Sequence, residues 1–180
     1  LTGVHLVTSD DHAGLHAAID RHFQGTGWQR CQVHYTRNLV GMVGASRRKE
    51  LAADLRSLFT ATTPTQARTM AHTLAARWRP THPAVARSLE EESEPCFACL
   101  AFPLDHQVRI RTTNGQERLN QELKRRTRVV RIFPNRAACL RLVTALCVEQ
   151  SEEWESGRQY LDMSDLASTF RQEALMVLVG

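Results

Sequence analysis

The apolar residues of this chain keep two different periods in two different stretches, and that change limits the fold more than any single motif. GVHLVTS, residues 3–9, is a short β-rich run that stops at Asp10. From His12 the spacing turns helical through Leu15, Ala18, Ile19 and Phe23, until Gly25 and Gly27 break it. WQRCQV, residues 28–33, predicts a second strand, and YTRNLVGMV a helix lasting to the small residues around Gly44–Ser46. Strand and helix alternate here, the mark of a layered α/β unit.

Beyond Arg47 the alternation ends. Leu51, Leu55, Leu58 and Phe59 form one helical stripe. Thr63 predicts a helix cap, with Pro64 in the first helical position and Gln66 in the capping-box position, before a face of Ala67, Met70, Ala71, Leu74, Ala75 and Trp78. Pro80 and Pro83 bracket the turn into a third helix carrying Val85 and Leu89. This stretch reads as an all-α subdomain inserted into the α/β unit. After Pro103 the pattern predicts a helix from about Asn114 that buries Leu119 and Leu123, then an extended segment over Val129–Phe133. A long amphipathic helix over Arg136–Trp154 turns Leu140, Val143, Cys147 and Trp154 inward, and one more helix fits Ser164–Val179.

With 180 residues, 42% of them hydrophobic, the chain can bury one substantial core. No segment reaches membrane-spanning length, and LTGVHLVTSD has no secretory pattern, so a cytoplasmic location is expected. Five cysteines, an odd number, argue for reduced thiols. Although the net charge is only +4, residues 109–136 hold nine basic side chains against Glu117 and Glu122, a local +7. The acidic balance lies in Glu90, Glu91, Glu92 and Glu94 and in Glu149, Glu152, Glu153 and Glu155. Such asymmetry fits a phosphate-backbone partner.

Several residues are candidates for chemistry. Asp10 ends a strand, where α/β folds place ligand-binding side chains, yet on local pattern alone Asp10 or Asp11 caps the following helix. Glu117 fits a reciprocal capping arrangement with Asn114, but capping does not require the surrounding Arg111, Thr112, Thr113, Arg118, Lys124, Arg125 and Arg126. Cys31 and His34, spaced C-x-x-H, supply half of a tetrahedral zinc set. Cys96 and Cys99 sit in an apolar setting that suits core thiols.

In order, LVTSDDHAGLHAAI, WQRCQVHYTRN, a helical stretch and RTTNGQERLNQELKRRTRVVRIFPN resemble the mutator family of bacterial insertion-sequence transposases, from about residue 2 to about Met163. The resemblance implies a predominantly helical α/β fold. Its ribonuclease H-like core would occupy residues 1–46 and 104–163 around an α-helical insertion at 47–103, with a tail at 164–180. It implies that Asp10 is the second catalytic aspartate and Glu117 the catalytic glutamate of a DDE set, both binding Mg²⁺ or Mn²⁺. Arg111, Asn114, Arg118, Lys124, Arg125 and Arg126 would contact DNA, and Cys31 and His34 form a family motif of open role. Phosphodiester attack by an oxygen nucleophile suits two hard cations roughly 3.5–4 Å apart on carboxylate oxygens.

The family's first aspartate belongs to a strand upstream of the second, and no aspartate precedes Asp10 here. The chain is therefore expected to be a C-terminal piece of a transposase, weak in Mg²⁺ binding and inactive alone. Its expected partners are insertion-sequence ends, target DNA, and a second copy or full-length transposase near the nucleoid, with no membrane. Two alternatives stay open: a non-catalytic DNA-binding or regulatory remnant, and a zinc-dependent interaction module built on Cys31 and His34.

Overall fold

A computed structural model of the chain describes residues 3–157, 161–164 and 166. The helix expected over Ser164–Val179 lies largely outside them. The described residues fall into two compact units, one of residues 3–113 with Ser164 and Leu166, the other of 114–157 with 161–163.

The first unit opens with strand β1 (Leu6–Ser9), helix α1 (Ala13–His22) and strand β2 (Gly27–Arg30). The strands pair in parallel, Leu6 opposite Gly27 through Ser9 opposite Arg30, so the helix serves as the crossover that a parallel pair requires. β2 is shorter than its sequence pattern. Helix α2 (Gln32–Gly41) takes over at Gln32, because Cys31 turns the chain with its own N–H on Ser9 O at 2.8 Å.

The middle section is helical, as its period requires. Helices α3 (Arg48–Leu58), α4 (Pro64–Trp78) and α5 (Pro83–Glu91) lead into a 3₁₀ segment (Glu94–Ala101) and a short helix α6 (Leu104–Ile110). Leu51, Leu55 and Leu58 are buried, and so are Ala67, Ala71, Leu74, Ala75 and Trp78 of α4 and Val85 and Leu89 of α5. Thr63 caps α4 by accepting from Gln66 N at 3.2 Å, with Pro64 behind it. The return bond of the capping box is displaced by one residue, since Gln66 accepts from Thr62 N. With Tyr35 and Leu39 of α2, and Val43 just past its end, these side chains form one continuous core.

Buried polar groups of this core have partners. Tyr35 donates its hydroxyl to Ser88 O, and burial pushes its pKa far up, so the phenol stays protonated. Trp78 donates to Asp54, which also pairs with Arg77. Much of the acidic balance is consumed in the same unit: Glu90 pairs with Arg79, Glu92 with Arg30 and Glu94 with Arg68.

The second unit is a pair of helices, α7 (Asn114–Val130) and α8 (Arg136–Ser156), and neither contains a buried residue. Leu119 and Leu123 are half-buried within this pair. Helix α7 continues to Val130, so the first two residues of the expected extended stretch are helix and the other three are not. Arg131 then takes a left-handed φ of 60° that ends the helix, and Asn135 caps α8 by accepting from Ala138 N at 2.8 Å. On α8 the stripe is rotated from the expected one: Leu140 and Trp154 are 61% and 62% exposed, Cys147 is exposed, and Ala138, Cys139, Leu142, Val143 and Leu146 are half-buried. Nearly every position of this helix face is apolar or small, so spacing alone does not choose the seam.

Candidate active site and nucleic-acid surface

β1 delivers Asp10 at its carboxyl end, and the next turn decides what the carboxylate can do. Helix α1 is capped by His12, whose Nδ1 accepts from Gly14 N at 3.1 Å. Asp10 and Asp11 therefore do not cap it, contrary to the local-pattern expectation. Gly14 lets the ring fold back, because a Cβ there would meet the His12 ring at 3.2 Å.

Freed from capping, the two carboxylates go separate ways. Asp11 takes His16 Nε2 at 2.9 Å and the buried guanidinium of Arg30 at 3.1 Å. Asp10 Oδ1 lies 2.8 Å from His34 Nδ1. The Asp10 side chain stays 46% exposed, open to a ligand.

The start of α2 joins this strand end to a third stretch. Thr8 donates its hydroxyl to Ile110 O at 2.6 Å, and Gln32 N donates to Arg111 O at 3.1 Å. The sulfur of fully buried Cys31 accepts from both Thr113 N and Thr113 Oγ1 at 3.4 Å. Residues 8–10, 31–34 and 110–113 thus meet at one place, although long stretches of sequence separate them. Cys31 and His34 point at different partners. Among the described residues no three His, Cys, Asp or Glu side chains are grouped to hold a metal ion, so nothing assembles a zinc site around this pair.

Sequence reading missed the polar struts beneath. Gln29, wholly buried, accepts from Cys99 N at 2.7 Å and donates to Cys96 O at 2.9 Å, and Gln32 donates to the same carbonyl. No local pattern marks these glutamines, since their partners lie far along the chain. Cys96 and Cys99 are core thiols as expected; burial pushes the Cys99 thiol up to about 11, which leaves it inert as a nucleophile.

Arg111 is half-buried, with its guanidinium on Phe59 O at 3.2 Å. In the second unit, Asn114 and Glu117 fall in the first turn of α7, with Asn114 as its first helical residue. Arg118 donates to Asn114 O. Glu122 binds Arg125 at 2.7 Å and Arg126 at 2.8 Å, and hydrogen bonds from Arg125 first and Arg126 second hold its carboxyl down to about 2. A groove one helical stripe wide is lined by Gln121, Lys124, Arg125, Arg128, Val129 and Arg131. Arg128 and Arg131 line this groove and were not among the sequence-based candidates; their i, i+4 and i, i+7 relation to Lys124 is the signal that groups them with it.

Among the described residues, no helix is long and apolar enough to cross a membrane. The profile of the family described as "Transposase, Mutator family" matches residues 1–157. The chain is 42% identical to the transposase for insertion sequence element IS406 of Burkholderia multivorans, over 91% of this chain and 42% of that protein. It is 39% identical to the IS1081 transposase of Mycobacterium tuberculosis, over 92% of this chain and 40% of the other. It is 34% identical to the transposase for IS256 in transposon Tn4001 of Staphylococcus aureus, over 90% and 42%. The chain thus spans about two fifths of the length of these curated relatives. A family match over residues 1–157, most of the chain, makes this protein a member of the mutator family of transposases.

Proposed function

We propose that this chain forms the C-terminal part of a DDE transposase catalytic core, which cuts and transfers the DNA strands of an insertion sequence by metal-dependent phosphodiester chemistry. The core is ribonuclease H-like, with its parts at 1–46 and 104–163, an α-helical insertion at 47–103 and a tail at 164–180. The observation that carries the reading is the meeting of the Ser9–Asp10, Cys31–His34 and Arg111–Thr113 blocks, with the Asp10 carboxylate released from capping and exposed.

The donor chemistry fits a hard divalent cation, since Asp10 and Glu117 are carboxylates and the soft ligands nearby are otherwise engaged. Mg²⁺ or Mn²⁺ held by these carboxylates would supply activation of an oxygen nucleophile and neutralisation of charge on the leaving oxygen. The chain's own part is to orient these carboxylates and to hold phosphates. Arg118, Lys124 and Arg128 serve that purpose directly, with Arg125 and Arg126 exchanging Glu122 for DNA. Asp10 and Glu117 are the two carboxylates of the three-carboxylate set that this segment supplies. Its partners are the element's ends, target DNA and further transposase copies.

The test is Glu117→Gln, and in parallel Asp10→Asn, in a longer protein that carries this segment and performs strand transfer. Each substitution abolishes transfer while DNA binding stays near that of the parent. Retained transfer in Glu117→Gln would reduce that residue to a helix-start side chain. A second reading, a non-catalytic DNA-binding or regulatory chain, is favoured by the exposed basic groove of α7. It is upheld if both variants regulate transposition as the parent does, since it needs the groove and neither carboxylate.

A further inference from the structure

We infer that Cys31 and His34 are positioning residues: His34 fixes the Asp10 carboxylate, and Cys31 fixes the Thr113 turn from which the glutamate-bearing helix departs. The inference rests on the proposed metal-binding role of Asp10. Its basis is how the first turn of α2 spends its side chains. Cys31 occupies the cap position of the helix, where Ser, Thr, Asp or Asn would accept from the helix's own amides, and it makes no capping bond. Its sulfur instead receives the amide and hydroxyl of Thr113, at 3.4 Å each, in a fully buried position.

Three residues on, on the same side of the turn, His34 presents Nδ1 to Asp10 at 2.8 Å. The buried cation beside the strand end, Arg30, goes to Asp11, so the Asp10 carboxylate is oriented by the imidazole alone of these two. Further bonds clamp the same three stretches: Cys31 N to Ser9 O at 2.8 Å, and Gln32 N to Arg111 O at 3.1 Å. The C-x-x-H spacing is therefore a bracket. One end reaches forward to Thr113 and the other back to Asp10, and the rigid first turn of a helix sets the separation.

Manganese(II), titrated into the 180-residue chain while the backbone amide signals are followed by NMR, tests the His34 half. Mn²⁺ broadens the amides at Asp10 and Asp11 in the parent, and Asp10→Asn removes the effect. His34→Ala needs about 10–100-fold more Mn²⁺ for the same broadening, the size expected when a group orienting a metal ligand is lost. His34→Asn, whose amide nitrogen replaces Nδ1, returns close to the parent. An unshifted midpoint in His34→Ala, with Asp10→Asn still null, overturns the positioning role and leaves the metal-site reading standing. Broadening that survives Asp10→Asn, or never occurs in the parent, overturns the metal-site reading and this inference with it.

For Cys31, hydrogen exchange at the Thr113 amide is the readout, and it needs no metal. Cys31→Ala speeds exchange by roughly 5- to 10-fold, a single hydrogen bond's worth, while amides in the α3–α5 core keep the parent's rates. An unchanged Thr113 rate in Cys31→Ala overturns its role.

Discussion

The two units are both helical and are held by different physics. The first builds a continuous core from Tyr35 to Phe97, with Trp78, Leu51, Leu55 and Val85 almost wholly removed from water. The second has no buried residue on either of its helices and exposes Val129, Ile132, Leu140 and Trp154. Buried apolar area is the main favourable term in folding, so the first unit has its own driving force and the second relies on helix-local terms. The difference is one of support: a packed frame holds the strand end that carries Asp10, while the basic side chains of α7 stand in solvent.

Substitutions can break that contrast. The largest effect belongs to Trp78→Ala, which removes a buried ring and the hydrogen bond to Asp54; a loss of about 3–5 kcal/mol is expected in urea unfolding. A loss below about 1 kcal/mol would show that the core is far less essential than its burial implies. Gln29→Ala comes next, since it strands the Cys99 amide and one bond to Cys96 O; about 1–3 kcal/mol should disappear from the same unfolding curve.

In the second unit the readouts shift to charge. Lys124→Ala with Arg128→Ala should weaken duplex binding and lower the slope of log affinity against log salt by about 0.9 per lost phosphate contact. An unchanged slope would remove this stripe from the DNA surface. Glu122 gives a pH test. Its folded pKa is depressed to about 2, so its contribution is present above the ordinary carboxylate pKa of 4.5 and is lost as pH falls from there towards 2. Circular dichroism should show α7 losing helix in that window, and Glu122→Gln should abolish that part of the acid transition. The smallest effect is Leu140→Ala, expected within about 0.5 kcal/mol because the side chain is already in water. A cost typical of core leucines would mean that α8 packs against something in solution.

Much of the frame was legible because it follows from local spacing. The α4 cap at Thr63, its Pro64 and its buried stripe all depend on residues within a few turns of one another. The basic run and the C-x-x-H were likewise visible as residues. What spacing could not convey was pairing at long range: Cys31 with Thr113, Gln29 with the 3₁₀ segment, Asp10 with His34. The capping of α1 was misread for a more instructive reason. A histidine outcompeted two aspartates for the Gly14 amide, which propensity alone ranks the other way. The seam of α8 was misplaced because its first half, from Ala137 to Val148, is apolar or small everywhere except Arg141 and Thr144 and so carries little rotational information.

That histidine cap gives the Asp-Asp-His-Ala-Gly turn a hidden dependency. Aspartate is a preferred helix cap, so without the His12 ring the Gly14 amide becomes a rival claimant for the carboxylates just upstream. A residue that touches no substrate can then silence the site by changing what its neighbour is employed to do. Loss of His12, or a bulkier residue at 14 that displaces its ring, would imitate a catalytic lesion in a transposition assay while the melting temperature barely moved. In this turn the most informative position is the one that takes the Gly14 amide and so leaves the neighbouring carboxylates to other partners.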